Sequence, residues 1–557
     1  MSYSRRNFLK AAGSGVVLTA VGGDAVFTAT AAPTLPTPFT KEKASFLING
    51  KVHVAEYEAR TTLWEVIAMK AGLTGTNRSC NRATCGACSV LVDGTPIYSC
   101  HTLATEAVGK KILTIEGVGD EKNLHPLQRI GHAHVAADCG FCTAGWVVTA
   151  KGLLDKNPNP SEDQVKAALA GHICRCASYP AMIRTVMDAA AALRGDKGKV
   201  NVEPASIVHV KQPMVRDYST SGGHLPGDEI VEGRRRIKTR KWQGYPPENL
   251  NVLGKPMPAL PEVSIPRFTG KAQYASRVWF RDMLYVRFLT CPHPHARIKS
   301  LDTSAAEKMP GVAQILTYKN APKPATSNPA GRAEALGRWG PRNLPEALPQ
   351  ELNLQGEVVA IVAAETEDLA QDAVDAIRVE YDVLPFASTL KDAMASGAPD
   401  LRGGKGNLLR PANAPKDFPN ATWAEQRGDV EKGFAEADII KEFTYPFAGG
   451  VSIPMQPAGS VAKWDGDKLT FWGMGQGIYP VRAGLAAFLG IDPSKIRFIN
   501  KWNGCTFGAA SLAAERFYPM IAHLAKVTNR PVKVMLPKDQ ELAQLRIKPE
   551  TIRAGST

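Results

Sequence analysis

Eight of the ten cysteines in this 557-residue chain fall into two groups of four, and these groups are the clearest chemical signal in the sequence. The first group is compact and comprises Cys80, Cys85, Cys88 and Cys100. The second group consists of two close pairs and comprises Cys139, Cys142, Cys174 and Cys176. Four thiolates are what one [2Fe–2S] cluster needs, and Cys-x4-Cys-x2-Cys followed by a distant Cys is the plant-type ferredoxin spacing. The first group therefore predicts a [2Fe–2S] site.

Two other uses of cysteine compete with this interpretation. Structural zinc also takes four cysteines, but usually as two Cys-x2-Cys pairs. The first group has the spacing Cys-x4-Cys-x2-Cys instead, which fits zinc poorly. Disulfides are plausible in an oxidising compartment, yet three closely spaced cysteines would favour strained short-range bridges. These arguments favour iron–sulfur for the first group. Taken alone, the second group leaves iron–sulfur and the two alternatives open.

Predicted elements surround the first group in an order that suits it. Residues 43–58 are predicted to form a pair of strands that turns at Asn49-Gly50. A strand at 89–92 with a hairpin turn at Asp93-Gly94 would bring Cys100 back to the other three thiols. Helices are predicted from their apolar periodicity at 62–71, 146–154, 161–170 and 182–193.

Both cysteine groups, with the residues around them, resemble the iron–sulfur part of xanthine dehydrogenase/aldehyde oxidase-type molybdenum hydroxylases. The matching stretches are Cys80–Gly94 with Cys100, Cys139-Gly-Phe-Cys142-Thr and Gly171-His-Ile-Cys174-Arg-Cys176. The resemblance implies an α+β multidomain chain with a β-grasp [2Fe–2S] ferredoxin domain at 43–120. It also implies a four-helix-bundle [2Fe–2S] domain at 121–195, whose cluster would be the one nearer to molybdenum.

The second half of the chain resembles the molybdenum-carrying part of the same family. Stretches at 270–275, 283–289, 292–302, 309–316 and 356–364 look like the a/b hammerhead domain, which we place at 264–390. Stretches at 455–464, 469–476, 486–496 and 504–508 look like the N-terminal part of an α/β molybdopterin-binding domain, which we place at 391–557. The Gly-, Pro- and charge-rich segment 196–260 is predicted to be a linker.

Four residues of the second half are candidates for the molybdenum site. In the family, a Gln at the position of Gln476 lies beside the metal, and a glycine-rich turn matching Gly504, Phe507 and Gly508 approaches the pterin. A polar surface residue after a strand remains the alternative for Gln476, and plain core packing the alternative for Phe507. Cys291 and Cys505, which belong to neither group of four, are interpreted as small buried hydrophobic residues.

The first residues look like an export signal. Ser4-Arg5-Arg6-Asn7-Phe8-Leu9-Lys10 is a twin-arginine signature, and it precedes a weakly apolar run that ends in Ala29-Thr30-Ala31. Residues 1–31 are therefore predicted to be a twin-arginine signal peptide, and the mature protein is expected to work in the periplasm, either free or on the outer face of the inner membrane. The export pathway suits chains whose cofactors are inserted in the cytoplasm.

Composition excludes several classes of protein. With 22% charged and 44% hydrophobic residues, the chain is globular, and it contains no apolar stretch of about 18 residues that a polytopic membrane protein requires. The formal net charge is +14, but the basic residues are scattered apart from a dense run at 234–241 inside the predicted linker. We therefore predict no nucleic-acid partner.

The resemblance implies a reaction and partners. It implies oxidation of an aldehyde at molybdenum, with electrons passing through two [2Fe–2S] clusters to an external acceptor such as a cytochrome c. The molybdopterin is expected in its cytosine dinucleotide form and shared with a second subunit that carries the catalytic Glu, since no Gly-Val-Gly-Glu stretch follows Gly508. The alternatives are hydroxylation of an N-heteroaromatic ring and a non-catalytic electron-transfer subunit; membrane association would come through a partner.

Overall fold

The computed structural model describes part of the chain. The described residues are 40–196, 229–231, 234–236, 259–325, 348–400, 407, 429–447, 450–508, 514–544, 547–548 and 551–556. The predicted signal peptide at 1–31 lies outside these residues, as does most of the predicted linker at 196–260. None of the helices among the described residues is long and apolar enough to cross a membrane.

A five-stranded mixed sheet carries the first cysteine group. Its strands are β1 (Lys41–Ile48), β2 (Lys51–Glu58), β3 (Ser89–Val92), β4 (Thr95–Tyr98) and β5 (Lys111–Leu113), in the order β2-β1-β5-β3-β4. The predicted hairpin is confirmed, because β1 and β2 pair antiparallel across Asn49-Gly50. The predicted turn at Asp93-Gly94 likewise joins β3 to β4.

A short helical segment covers one face of this sheet. Helix α1 (Leu63–Glu65) continues as a π-helical turn at Val66–Lys70, where a regular helix was expected at 62–71. Thr62 caps it through a reciprocal pair of bonds, in which its hydroxyl accepts from Glu65 N–H and the Glu65 carboxylate accepts from Thr62 N–H. The core between helix and sheet consists of apolar side chains that include Phe46, Ile48, Leu63, Ile67 and Val90.

Four helices follow and hold the second cysteine group. They are α2 (Pro126–Ala133), α3 (Thr143–Lys156), α4 (Glu162–Leu169) and α5 (Tyr179–Leu193). The predicted helices at 146–154, 161–170 and 182–193 are confirmed in position, and Ser161 caps α4 as its type suggests. Helix α3 is buried along most of its length because it packs against β3 on one side and α4 on another.

The chain beyond the predicted linker returns to the helical domain. A short hairpin of β6 (Glu229–Val231) and β7 (Arg234–Arg236) lies within the predicted linker, and helix α6 (Pro261–Phe268) follows. The Phe268 ring is fully buried and meets Trp146 of α3 edge to face, with centroids 6.1 Å apart. The Gln128 amide of α2 also donates to the Phe268 carbonyl at 3.0 Å. The second half of the chain is therefore packed into the second cysteine domain.

The remaining elements are a mixture of strands and helices. Up to residue 400 they are β8 (Leu284–Thr290), β9 (Ala296–Asp302), α7 (Ser304–Glu307), β10 (Val312–Thr317), β11 (Glu351–Leu352), β12 (Val358–Ala364), α8 (Glu367–Ala376), β13 (Arg378–Val383) and α9 (Leu390–Met394). After residue 429 they are α10 (Val430–Ala435), β14 (Glu442–Phe447), β15 (Gly450–Val451), β16 (Gly459–Asp465), β17 (Lys468–Gly473), α11 (Ile478–Leu489), β18 (Ile496–Ile499), α12 (Ala514–Thr528), β19 (Val532–Met535), α13 (Lys538–Gln544), β20 (Ile547–Lys548) and β21 (Thr551–Ser556).

One sheet joins the two domains predicted for this half. Seven strands run in the order β10-β12-β8-β19-β16-β17-β18, and β9 pairs separately with β11 and β13. The junction is the parallel pair of β8 and β19, in which Leu284 lies opposite Val532. Strands from both sides of the predicted boundary at 390 therefore share one hydrogen-bonded sheet and one apolar core.

Candidate functional site

The four thiols of the first group converge at one place. Cys80, Cys85 and Cys88 lie on the loop between α1 and β3, and Cys100 follows β4. The sulfur of Cys80 is hydrogen-bonded to the thiols of Cys100 and Cys85, and these hydrogen bonds lower the pKa of Cys80, with help from backbone N–H groups. The thiol of Cys88 bonds with Cys100, which lowers the pKa of Cys88 in the same way. A lowered pKa favours the thiolate, which is the form of cysteine that binds a metal.

Backbone N–H groups of the loop point at the same sulfur. The N–H groups of Arg82 and Thr84 each donate to Cys80 Sγ at 3.4 Å. Asn81 and Ala83 take the left-handed conformation, with φ of 53° and 55°, which curls the loop around the thiols. Hydrogen bonds to cluster sulfurs are one of the means by which a protein sets the reduction potential.

The second group is built from the ends of two helices. Cys139 and Cys142 precede α3, with Cys142 as its N-cap residue, while Cys174 and Cys176 lie in the turn before α5. Bonding with Cys174 and burial raise the pKa of the Cys142 thiol, and Cys139 lies within bonding distance of Cys176. In space, therefore, Cys142 lies beside Cys174 and Cys139 beside Cys176, so each pair joins one residue from each helix end. All ten cysteines are free thiols in the structure.

The two cysteine groups are in direct backbone contact. The Ile173 N–H donates to the Cys85 carbonyl at 3.0 Å, which links the residue before Cys174 to a member of the first group. Gly86 has φ +73°, and a Cβ there would lie 2.4 Å from His172 Nδ1 and 2.5 Å from the Gly171 carbonyl. Only glycine fits this contact, so the first loop and the turn before α5 form one unit.

Residues from the first domain and from the second half of the chain fix the backbone of the Cys139–Cys142 loop. The Tyr274 hydroxyl donates to the Cys139 carbonyl at 2.7 Å, and the Asn77 amide donates to the Phe141 carbonyl at 2.6 Å. The Arg277 guanidinium donates in turn to Asn77 Oδ1 at 2.7 Å. Sequence analysis missed these residues; Tyr274 lies in a stretch that matches the family, but nothing in its spacing assigns it to the cysteines.

The glycine-rich turn of the candidate molybdenum site packs onto the same loop. Gly504 N–H donates to Gln456 Oε1 at 2.6 Å, and Gln456 N–H donates back to the Gly504 carbonyl at 3.1 Å. A Cβ at Gly504 would lie 2.7 Å from the ring of Phe141, which stands between Cys139 and Cys142. The turn therefore lies against the second cysteine group. The Gln456 amide Nε2 is buried and has no partner among the described residues, so it is a donor left for a further group.

The structure brings the predicted site residues to neighbouring positions. Gln476 is exposed in the connection between β17 and α11, and the carbonyl of the preceding Gly475 accepts from the Asn503 amide at 3.3 Å, one residue before Gly504. The Phe507 ring is 42% exposed, so it does not pack in the core as its alternative interpretation would require. The Arg175 guanidinium lies over this ring, 5.3 Å from its centroid. Arg175 stands between Cys174 and Cys176 in the sequence, so Phe507 lies beside the second cysteine group. Gly508 follows with φ +91°.

Cys505 packs against the apolar core of the helical domain, as interpreted, but it is only half-buried and has further contacts. Its sulfur lies within 4.8 Å of the sulfurs of both Cys139 and Cys176, so three thiols meet at the edge of the second group. The Met455 N–H donates to Cys505 Sγ at 3.3 Å. Cys291, by contrast, is buried as expected. A lone cysteine has no spacing signal, and only the fold brings Cys505 to the others.

Three family models match the chain. Residues 114–187 match the [2Fe-2S] binding domain. Residues 269–385 match the a/b hammerhead domain of aldehyde oxidase and xanthine dehydrogenase, and residues 413–550 match the molybdopterin cofactor-binding domain. The first match contains all four cysteines of the second group, and the third contains the glycine-rich turn Gly504–Gly508.

Similar proteins agree with these matches. The aldehyde oxidoreductase of Megalodesulfovibrio gigas is 28% identical over 510 residues, which are 89% of this chain and 49% of that protein. The nicotine 6-hydroxylase small subunit of Paenarthrobacter nicotinovorans is 37% identical over 165 residues, which are 30% of this chain and 99% of that subunit.

A solved structure has the same fold. The aldehyde oxidoreductase of Desulfovibrio gigas superposes with a TM-score of 0.71 at 26% identity, over 91% of this chain and 50% of that one. This chain thus spans about half the length of the aldehyde oxidoreductases it matches. The matched domains, the relatives and the paired cysteine groups agree, and the chain belongs to the xanthine dehydrogenase/aldehyde oxidase family of molybdenum hydroxylases.

Proposed function

We propose that this chain is a subunit of a periplasmic molybdenum hydroxylase that oxidises aldehydes and delivers electrons to an external acceptor such as a cytochrome c. In this proposal the five-stranded domain is a β-grasp ferredoxin and the four helices are the family's bundle. Each holds one [2Fe–2S] cluster. The molybdenum cofactor, in its molybdopterin cytosine dinucleotide form, is shared with a second subunit that supplies the catalytic Glu.

One observation carries the proposal. The first cysteine loop, the second cysteine group and the glycine-rich turn form a continuous contact, through the bond between Ile173 and Cys85 and the packing of Gly504 on Phe141. Cys-rich loops of this kind fit iron–sulfur clusters because their thiols converge and backbone donors face them. The unpartnered Gln456 amide fits a polar cofactor beside the turn.

The roles of this chain's residues follow from that arrangement. When bound, the molybdenum cofactor supplies hydroxylation at an electrophilic carbon, and the clusters take up the released electrons singly. The first group's residues Cys80, Cys85, Cys88 and Cys100 would hold one cluster. The second group's residues Cys139, Cys142, Cys174 and Cys176 would hold the other. Gln476 and the turn Gly504–Gly508 would position the molybdenum cofactor, and Tyr274 would fix the backbone of Cys139.

Location and partners are further parts of the proposal. The twin-arginine signature at 4–10 supports export as a folded, cofactor-loaded protein. The match to a protein named as a small subunit supports assembly with another chain. We propose a soluble periplasmic acceptor and, if the enzyme lies at the inner membrane, association through a partner.

Hydroxylation of an N-heteroaromatic ring is the second candidate. The relative named nicotine 6-hydroxylase small subunit is 37% identical to this chain over 165 matched residues, nearly its whole length. The aldehyde oxidoreductase is less identical, at 28%, but its match is longer, at 510 residues. The similarity to the nicotine 6-hydroxylase subunit covers only 30% of this chain, so it supports the second candidate for a part of the chain alone. A purely electron-transferring subunit would keep the clusters without touching substrate.

Metal analysis of the complex purified from its native host tests the proposal first. We expect about four iron atoms and about one molybdenum per copy of this chain, since two [2Fe–2S] clusters and one cofactor are involved. Iron without molybdenum would favour the electron-transfer subunit. Absence of iron would overturn all three functions.

A substrate screen then separates the two enzyme functions. Aliphatic and aromatic aldehydes are compared with N-heteroaromatic rings, and reduction of the clusters is followed by bleaching of their visible absorption under anaerobic conditions. Aldehyde-dependent bleaching supports the first function, and bleaching by heterocycles alone supports the second. If neither class bleaches the clusters, the enzyme proposal fails.

A further inference from the structure

A cavity between the first cysteine domain and the second half has an unusual lining. It measures about 50 Å³ and opens beside the first cysteine group, because Ser79 and Asn81 on either side of Cys80 line it. Four cationic side chains also line it: Arg78, Arg277, Arg287 and Lys533. Among the described residues that line the cavity there is no Asp or Glu.

Two of these cations have only neutral groups as hydrogen-bond partners. The Lys533 ammonium donates to the carbonyls of Ser276 at 2.7 Å and Val278 at 3.1 Å. The Arg277 guanidinium donates to Asn77 Oδ1 and to three backbone carbonyls, those of Gly75, Gly270 and Ala272. Backbone carbonyls fix the position of a cation without neutralising it. Burial lowers the pKa of the Arg277 side chain. Burial also lowers the pKa of Lys533, to about 8; the charge of Glu367 opposes this shift, and repulsion from Arg78 adds to it.

The other two cations share a single carboxylate. Glu367 accepts from Arg78 at 2.6 Å and from Arg287 at 2.7 Å, and it lies outside the lining. Two further carboxylates outside the lining attract these cations: Glu65 attracts Arg78, and Glu116 attracts Arg277. Burial and the nearby Asp368 raise the pKa of Glu65. None of these carboxylates lines the cavity, so its wall presents cations without an acidic side chain beside them.

Two hydroxyl groups at the cavity lack partners. Thr76 is buried, with 2% of its surface exposed, and its Oγ1 has no hydrogen-bond partner among the described residues. Ser276 Oγ likewise has none. Both residues line the cavity. Buried hydroxyls are ordinarily bonded, so two of them beside four cations indicate a missing acceptor.

We propose that this cavity binds a small tetrahedral oxyanion, inorganic phosphate or sulfate. A volume of about 50 Å³ holds some three to four water-sized groups, which is the size of such an ion. The oxyanion accepts from the hydroxyls of Thr76 and Ser276 and balances the charge of Lys533 and the arginines. Because the cavity lies between the two halves of the chain, the bound ion also ties them together.

Phosphate binding to the complete, cofactor-loaded protein tests the proposal. Equilibrium dialysis with radiolabelled phosphate, at constant ionic strength set by sodium chloride, should show one saturable site per chain that unlabelled sulfate competes for. The Thr76→Val variant removes only an unpartnered hydroxyl, so we expect it to fold and to bind phosphate about tenfold more weakly. Thr105→Val, at an exposed position away from the cavity, should bind as the wild type does.

The possible outcomes decide the matter. Absence of saturable phosphate binding by the wild type, or equal affinity in Thr76→Val and wild type, overturns the proposal. If Thr76→Val lowers the iron content, Ser276→Ala serves as the second variant with the same expectation. As an independent readout, phosphate should lower the reduction potential of the first cluster relative to chloride while leaving that of the second unchanged, because the anion lies beside Cys80. Iron content, measured separately, shows whether a failure concerns this site or the proposed function.

Discussion

The two cysteine groups are built in different ways. In the first, one loop and one strand end bring four thiols together, and the donors to Cys80 come from the same loop. In the second, two helix ends supply the thiols, and distant residues complete the surroundings: Tyr274 fixes Cys139, and Cys505 comes within 4.8 Å. The first group is therefore a local structure, whereas the second depends on the second half of the chain. The group that depends on the second half is also the one beside the candidate molybdenum site.

Replacing one ligand in each group should have the largest effect. Cys85→Ser and Cys142→Ser each remove a buried thiol, and each should lower the iron content from about four to about two atoms per chain. Cys291→Ser is the matched control, because Cys291 is equally buried but belongs to neither group. Iron analysis checks this. Loss of all iron in Cys85→Ser alone would show that the second group depends on the first, contrary to the comparison.

The stability of the second half of the chain should depend on pH through Glu541. Burial raises the pKa of Glu541 to about 7, although Lys538 opposes this shift. The Glu541 carboxylate accepts a hydrogen bond from the N–H of Ala458, two residues after Gln456. In the unfolded chain this carboxyl ionises near its ordinary value of 4.5, so stability falls as pH rises from 4.5 to 7 and is constant above. Glu541→Gln removes this loss, which is on the order of 3 kcal/mol.

Denaturant unfolding at pH 4.5, 6 and 7.5 checks this prediction. The difference between Glu541→Gln and wild type should grow with pH in favour of the variant. Glu436→Gln, an exposed glutamate near Lys432, should show no such growth. A difference that is the same at all three pH values would contradict a raised pKa for Glu541.

A pair of glycines isolates the contact between the groups. Gly86 and Gly94 both have φ +73°, but a Cβ at Gly86 meets His172 and Gly171, while nothing lies within 4 Å of one at Gly94. Gly94→Ala should cost about 1 kcal/mol of unfolding free energy from backbone strain. Gly86→Ala should cost about 2 kcal/mol more, because the steric clash is added. Equal losses, measured by denaturant unfolding, would mean that the two groups are not held together at this point.

The hydroxyl of Tyr274 should have the smallest effect. Tyr274→Phe removes the hydrogen bond to the Cys139 carbonyl and should cost about 1 kcal/mol. It should shift the paramagnetic signal of the second cluster and leave that of the first unchanged. Tyr57→Phe, in β2 of the first domain, should alter neither signal. A shift of the first signal in Tyr274→Phe would contradict the assignment of Tyr274 to the second group.

Local features were predictable from the sequence, and distant contacts were not. The Cys80–Cys88 spacing, the hairpins at Asn49-Gly50 and Asp93-Gly94 and the cap at Ser161 depend on neighbours in the chain, and the structure has the corresponding elements. The helix expected at 62–71 became partly π-helical, a distinction that apolar periodicity does not carry.

The surroundings of the second group follow only from tertiary structure. Tyr274 and Cys505 reach Cys139 across more than a hundred residues of sequence, so no motif could connect them. The cationic cavity is a similar case, since Arg78 and Lys533 come from opposite ends of the described chain. The predicted domain boundary at 390 separates strands that the structure joins in one sheet, because β8 pairs with the much later β19.

Electron paramagnetic resonance of the dithionite-reduced, complete protein tests the central claim most directly. If each cysteine group holds its own [2Fe–2S] cluster in a different environment, the spectrum contains two distinguishable signals of about one spin each. Cys85→Ser should abolish one of them and Cys142→Ser the other. A spectrum with no signal, or with one signal that both variants abolish, would contradict the claim.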